Sequence, residues 1–177
     1  MANGSTRNLL PYGLGLALLA AAAHLGWEAT HGGVRSHHLL ARADMPAISN
    51  WWGLVILPAL GWCASRTASV RAKANPGAVA NAVVALLGSA VVGAGMSVSF
   101  AAGFESATSI LLFAAVTAGL VLPTYRAEYA FGFVLGMVHV FGSAIPMIAV
   151  SVAAGISAAA HFLVRPAFIA LLRRARG

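Results

Sequence analysis

Acidic side chains are almost missing from this chain: Glu28, Asp44, Glu105 and Glu128 are the full set among 177 residues. Charge of either sign is scarce, at 8% of residues, against about a quarter in a soluble domain. So few charged groups cannot cover a surface that faces water. A surface that faces hydrocarbon removes that demand. Cysteine is nearly absent too. Cys63 stands alone, which excludes a disulfide or a cysteine-based metal cluster within one chain. No phosphate-cradling glycine loop, nucleophile elbow or dinucleotide fingerprint is present.

What is abundant is apolar. Hydrophobic residues make up 60% of the chain and the mean hydropathy is +0.85. The net charge is +7, but the basic residues sit beside apolar segments, so anionic lipid and topology control explain them better than nucleic acid does. The fold class that follows is all-α: one integral membrane domain over residues 1–177, built as a polytopic transmembrane bundle.

A span needs roughly 20 apolar residues. Six candidates fit: Leu9 to Ala29, Ile48 to Ala64, a third from Asn75-Pro76-Gly77 to Ala102, Ser106 to Val121, 128–145 and 147–170. Asn75 reads as a helix cap with Pro76 in the first turn. Gly142-Ser143-Ala144-Ile145-Pro146 supplies the break between the last two spans, with Ala154-Gly155-Ile156-Ser157 as an alternative. The runner-up has five spans and a surface-lying final helix carrying Phe162, Arg165, Phe168, Arg173, Arg174 and Arg176. The first segment also has features of a cleaved signal peptide, in Arg7 and Ala21-Ala22-Ala23, although its apolar run is long for one.

Basic residues orient the spans. Arg66, Arg71 and Lys73 follow the second span, Arg126 follows the fourth, and Arg173, Arg174 and Arg176 end the chain. Six spans put all of them on one side with Arg7, the cytoplasmic side of a plasma (inner) membrane, with both termini inside. Arg35 and Arg42, in the outer loop from His31 to Met45, depart from the rule.

Ionisable groups near a bilayer are costly and invite a functional reading. His24, Glu28 and His31 fall at i, i+4 and i+7, one stripe of a helix. His37, His38 and Asp44 follow in the outer loop. Together these six are candidate ligands for Zn, Fe or Cu. His24, Glu28, Asn50 and His139 are the candidate catalytic set for acid–base chemistry. Plainer readings compete: solvated loop histidines, Asp44 as the N-cap of the next helix, and an i, i+4 structural pair for His24 and Glu28. Trp51 and Trp52, with Trp27 and Trp62, suit an interfacial aromatic belt, or a cavity wall beside the histidines. Gly132 and Gly136 form G-x-x-x-G with His139 close to the same face, a pattern for close helix approach within the chain or between copies in a homo-oligomer. His161 has a similar status. Glu128 reads as a local ion pair with Arg126.

Three functions follow. The first is a small membrane enzyme with a His/Glu site, with or without a metal, at the outer end of spans one and two, acting on a lipid-like or other hydrophobic small molecule. The second is a proton-coupled transporter or ion channel using isolated His139 and Glu28. The third is a haem- or pigment-binding membrane subunit, with His24, His139 and His161 as ligands. Membrane lipids are expected partners in each, and nucleic acid in none.

Overall fold

The computed structural model describes residues 8–38, 42 and 44–175; Arg7 and Arg176 lie outside the described residues. The helices are α1 (Leu10–Thr30), α2 (Gly53–Ala74), α3 (Ala78–Ala101), α4 (Glu105–Val121), α5 (Ala127–Phe141), α6 (Ala144–Ala159) and α7 (Arg165–Ala175). A 3-10 turn, Asn50–Trp52, leads into α2, and a π-helical turn, Ala160–Val164, joins α6 to α7. A short hairpin adds to the helices: β1 (Ser36–His38) pairs antiparallel with β2 (Ala47–Ser49), with His37 opposite Ile48.

Among the described residues, four helical runs are long and apolar enough to cross a membrane: Leu10–Thr30, Asn50–Ala74, Ala78–Ala101 and Ala144–Ala175. Large apolar side chains such as Leu19, Val84, Val91 and Phe113 point outward, more than two-thirds exposed. A surface of that kind belongs in hydrocarbon rather than in water. The described residues thus form a mainly helical chain with four candidate membrane-spanning helices. α4 and α5, with 17 and 15 residues, are shorter apolar helices.

α5 occupies the centre and packs on α3, α2 and α6, while α1 lies on α2. Its side chains Phe131, Val134 and Met137 are buried with Leu57 and Leu60 of α2 and Met96 of α3. The α3–α5 contact is the most extensive in the molecule. The reason lies in small residues. A Cβ at Gly132 or Gly136 would run into the α3 backbone at Leu86 and Ala90, and one at Gly93 into the Phe133 carbonyl. The G-x-x-x-G pattern therefore seats a helix of the same chain. Gly13 and Gly61 allow the same close approach between α1 and α2.

Several boundaries differ from the sequence reading. The second span does not begin at Ile48, which lies in β2, and does not end at Ala64. Its helix runs on to Ala74, so Arg66, Arg71 and Lys73 ride on its last turns instead of in a loop. Nothing between Ala64 and Ala74 breaks a helix, and long basic side chains can reach water from a helix end. Asn75 does not cap α3. Its Oδ1 accepts the Gly77 N–H at 2.9 Å, closing a turn, and Gly77 holds the cap position before Ala78. The break after the fifth span falls at Gly142, whose φ of +67° suits glycine. The alternative break at 154–157 is helical. From Ala144 the helix continues for 32 residues, about 48 Å at 1.5 Å per residue, well beyond the roughly 30 Å of a hydrocarbon core.

Candidate functional site

The last two turns of α1 place His24 and Glu28 on its inner face, where they are 6% and 5% exposed. The helix stops at Thr30. His31 leaves helical geometry, and Gly32 and Gly33, both at positive φ, turn the chain back over the helix end. The returning backbone offers its Arg35 N–H to Glu28 Oε2 at 3.3 Å. Strand alternation then sends His37 inward and leaves Ser36 and His38 exposed.

β2 delivers Asn50. Ser49 Oγ accepts the Trp51 N–H, opening the 3-10 turn, and the Asn50 N–H donates to the Arg35 carbonyl at 2.9 Å. The Asn50 side chain, 4% exposed, then lies between strand and helix. Its Nδ2 donates to Glu28 Oε1 at 2.6 Å and faces His37 Nε2 at 3.4 Å. A carboxylate oxygen requires a donor, which fixes the amide orientation. His37 Nε2 then accepts, and its proton sits on Nδ1. Burial holds the His37 pKa below the usual 6.5; Glu28 pulls it back up and Arg35 pushes it further down.

The turn between α5 and α6 closes the far wall. Gly142 fits against the Asn50 amide, where a Cβ would collide with Oδ1. Ser143 is 1% exposed and its Oγ has no hydrogen-bond partner. Both ring nitrogens of His24 are likewise buried and unbonded, with Nε2 3.8 Å from Glu28 Oε1. His139, at the end of α5, presents its ring edge-on to His24 with centroids 6.4 Å apart, and lies 6.0 Å from the Trp27 ring. His139 and Trp27 are both exposed, so the cluster has one open edge.

Of the candidate catalytic residues, the fold thus brings His24, Glu28 and Asn50 into one buried group with His139 at its margin. The candidate ligands divide. His24, Glu28 and His37 belong to the group. His31 instead stacks on Trp27 at 3.6 Å, because α1 ends before the stripe reaches it. His38 Nδ1 sits 2.7 Å from the Met45 carbonyl, and Asp44 pairs with Arg42 at 2.8 Å, both at the surface. Asp44 is not the cap of α2, since β2 and the 3-10 turn intervene. Among the described residues no group of three or more His, Cys, Asp or Glu side chains is arranged to hold a metal. The Asn50 amide stands between Glu28 and His37, so a metal shared by those two would have to displace it.

Trp51 and Trp52 are more than half exposed beside the hairpin and do not wall the cluster. His161 bonds to the Ser157 carbonyl and packs on Tyr125, at the opposite end of α5 from His139. Glu128 does not pair with Arg126. It is 3% exposed and takes the Arg71 guanidinium of α2 at 2.6 Å. Gly142 and Ser143 had shown in the sequence only as a helix break. A small polar pair returning to the His31–Met45 end was the available signal of more.

No family model, curated protein or solved structure matches this chain.

Proposed function

We propose that the chain is a small six-span membrane enzyme, both termini cytoplasmic, whose acid–base site is the cluster of His24, Glu28, Asn50 and His37 at the outer end of the plasma (inner) membrane. The carrying observation is that both Glu28 oxygens are held by N–H donors while the adjacent buried His24 has neither ring nitrogen engaged. An imidazole so placed is available to take and return a proton. The fixed carboxylate 3.8 Å from Nε2 stabilises the imidazolium that forms. Asn50 and the Arg35 N–H are positioning groups. Ser143 Oγ is a second unengaged polar atom on the same wall.

The substrate is hydrophobic and approaches from the outer leaflet beside Trp27 and His139. Six spans require α4 and α5 to cross as short helices, α5 at the centre of the bundle and α4 on its outside. Orientation rests on Arg66, Arg71, Lys73, Arg126, Arg173 and Arg174 lying toward one end of the bundle. A proton path through the membrane is less favoured. Between the outer cluster and the Arg71–Glu128 pair, the interior is filled by Leu57, Leu60, Phe131, Val134 and Met137, and a path needs polar groups through that depth.

The test is lipid mass spectrometry of proteoliposomes made from phosphatidylethanolamine, phosphatidylglycerol and diacylglycerol, with wild type, His24→Ala and Glu28→Gln compared. A species that forms or disappears only with wild type supports the reading. Identical spectra for all three sink it. Elemental analysis for Zn, Fe and Cu and an absorption spectrum of the same preparation separate a metal-assisted or haem version. A trapped pH-sensitive dye responding only in wild-type vesicles would favour transport instead.

A further inference from the structure

The helical run that starts at Ala144 is too long for one crossing, and its chemistry changes along its length. The 16 residues of α6 and the five of the π-helical turn rise about 30 Å together, enough for the hydrocarbon core. They include no Asp, Glu, Lys or Arg, and Arg165 follows at once. α7 then adds 11 residues, about 16 Å, beyond that core. Tilting the whole run to bury α7 as well would carry Arg165 into hydrocarbon, which is costly.

α7 is two-faced. Phe168, Leu171, Leu172 and Ala175 fall at i, i+3, i+4 and i+7, one apolar stripe. Arg165 and Arg174 flank that stripe and Arg173 lies on the far side. No residue of α7 is buried; Phe168 is 59% exposed and Leu171 65%. The bundle holds the chain only up to the turn before it. His161 and Phe162 pack on Tyr125, with ring centroids 5.5 and 5.0 Å away, whereas among the described residues α7 makes no extensive contact with another α-helix. The join is also where the helix is weakest. Its π-turn departs from α-helical bonding, and Pro166 has no N–H to offer the Phe162 carbonyl. Helices bend at such places.

Charge decides what covers the stripe. Arg165, Arg173 and Arg174 are exposed, and among the described residues none pairs with a carboxylate. This end of the chain has no acid to spare. Arg71 takes Glu128, Glu28 and Asp44 belong to the outer end, and Glu105 opens α4, whose other end meets His161 at the Val121 carbonyl. A second copy crossing in the same sense would set arginine against arginine along the flanks of the stripe. An anionic lipid surface accepts the apolar stripe and the arginines together.

We infer that α7 is an interfacial helix that docks on anionic phospholipid of the leaflet at this end, the inner one in the topology above. It bends at the π-turn, lays Phe168, Leu171 and Leu172 into the acyl boundary and sets Arg165, Arg173 and Arg174 among the lipid phosphates. This docking rests on the membrane reading above and not on the catalytic one.

The test is spin-label accessibility on the full chain in nanodiscs, which have no inside and so do not depend on orientation. Residues 167–175 are replaced by cysteine one at a time in a Cys63→Ser chain and labelled. In phosphatidylcholine discs with added phosphatidylglycerol, labels at 168, 171 and 172 should meet oxygen dissolved in lipid. Labels at 170 and 173 should meet a water-soluble nickel chelate, and the pattern should hold with one copy per disc. The two spectral components at 171 give the docked and free fractions. Each arginine beside an anionic surface shifts their ratio about fivefold. Arg165→Gln, Arg173→Gln and Arg174→Gln combined should therefore lower the ratio by about tenfold or more, and molar salt should act in the same direction. All three positions are exposed, so the bundle keeps its fold. Equal nickel access along 167–175 would leave α7 standing in water. A pattern present only with two copies per disc would give the stripe to a second chain. A ratio indifferent to phosphatidylglycerol and to the triple variant would remove the anionic lipid. Each of these results overturns the proposal.

Discussion

The Asn50 side-chain nitrogen stands 2.6 Å from Glu28 Oε1 and 3.4 Å from His37 Nε2, joining helix α1 to the hairpin through one buried amide. Removing it leaves a buried carboxylate oxygen and an imidazole nitrogen without their donor. Asn50→Ala should therefore destabilise the protein by about 2–3 kcal/mol, the range for hydrogen bonds to buried charged groups. Asn50→Asp should be worse, because it sets a second carboxylate against the first. Unfolding in detergent micelles, followed by circular dichroism, measures both. A loss below about 0.5 kcal/mol for the alanine variant would show that the amide does not hold the site together.

The same amide links the hairpin to pH. His37 accepts from Asn50 only when neutral, and its folded pKa lies below 6.5 through burial, with Glu28 opposing and Arg35 assisting. The unfolded chain therefore binds the proton more readily than the folded one. Stability from the neutral ring is complete above 6.5 and is lost as pH falls through the folded value. Hydrogen exchange at the Asn50 amide, bonded to the Arg35 carbonyl at 2.9 Å, reports on the hairpin directly. Its protection, corrected for intrinsic rate, should fall as pH drops below 6.5. His37→Gln keeps an acceptor and does not titrate, so it should flatten that dependence. An unchanged slope in that variant would assign it to another group, with His24 the nearest alternative.

What the sequence disclosed and what it concealed divide along a physical line. The i, i+4 spacing of His24 and Glu28 placed them on one face because that stretch is helical, and the rule needs nothing else. His31 obeyed the same spacing on paper and left the stripe because the helix ends one residue earlier. The length of α2 was hidden because Arg66, Arg71 and Lys73 lower hydropathy without lowering helix propensity. The partner of Glu128 was hidden for another reason: Arg71 lies 57 residues away, and only the rotation of α2 against α5 joins them. Asn50 was legible as a polar residue near the histidines, but its bridging role depends on a hairpin too short to show as an alternating pattern.

Gly142 combines two constraints. Its φ of +67° with ψ of −167° lies in a region essentially confined to glycine, which costs another residue about 1–3 kcal/mol, and a Cβ there would enter the Asn50 amide. Gly142→Ala should lower stability by about 2 kcal/mol or more and loosen the Asn50–Glu28 contact. Gly155 offers the comparison within the same preparation. It lies inside α6, with nothing within 4 Å of a Cβ, so Gly155→Ala should be neutral or slightly stabilising. Parallel thermal unfolding distinguishes the two. Equal shifts would mean that the turn does not need glycine.

The Arg71–Glu128 pair makes the last prediction because its members are unequally buried, 29% and 3% exposed at the side chain. Arg71→Met strands a carboxylate inside the bundle, whereas Glu128→Leu leaves a guanidinium that can reach past the helix end to water. The arginine variant should lose about 3–5 kcal/mol, the range for breaking a buried pair, and the glutamate variant clearly less. Combining them removes both charges and should recover most of the loss. The coupling measured by the double-mutant cycle should then exceed about 1 kcal/mol. Losses that simply add would show that the two side chains contribute separately, with α2 and α5 held by apolar packing and not by the ion pair.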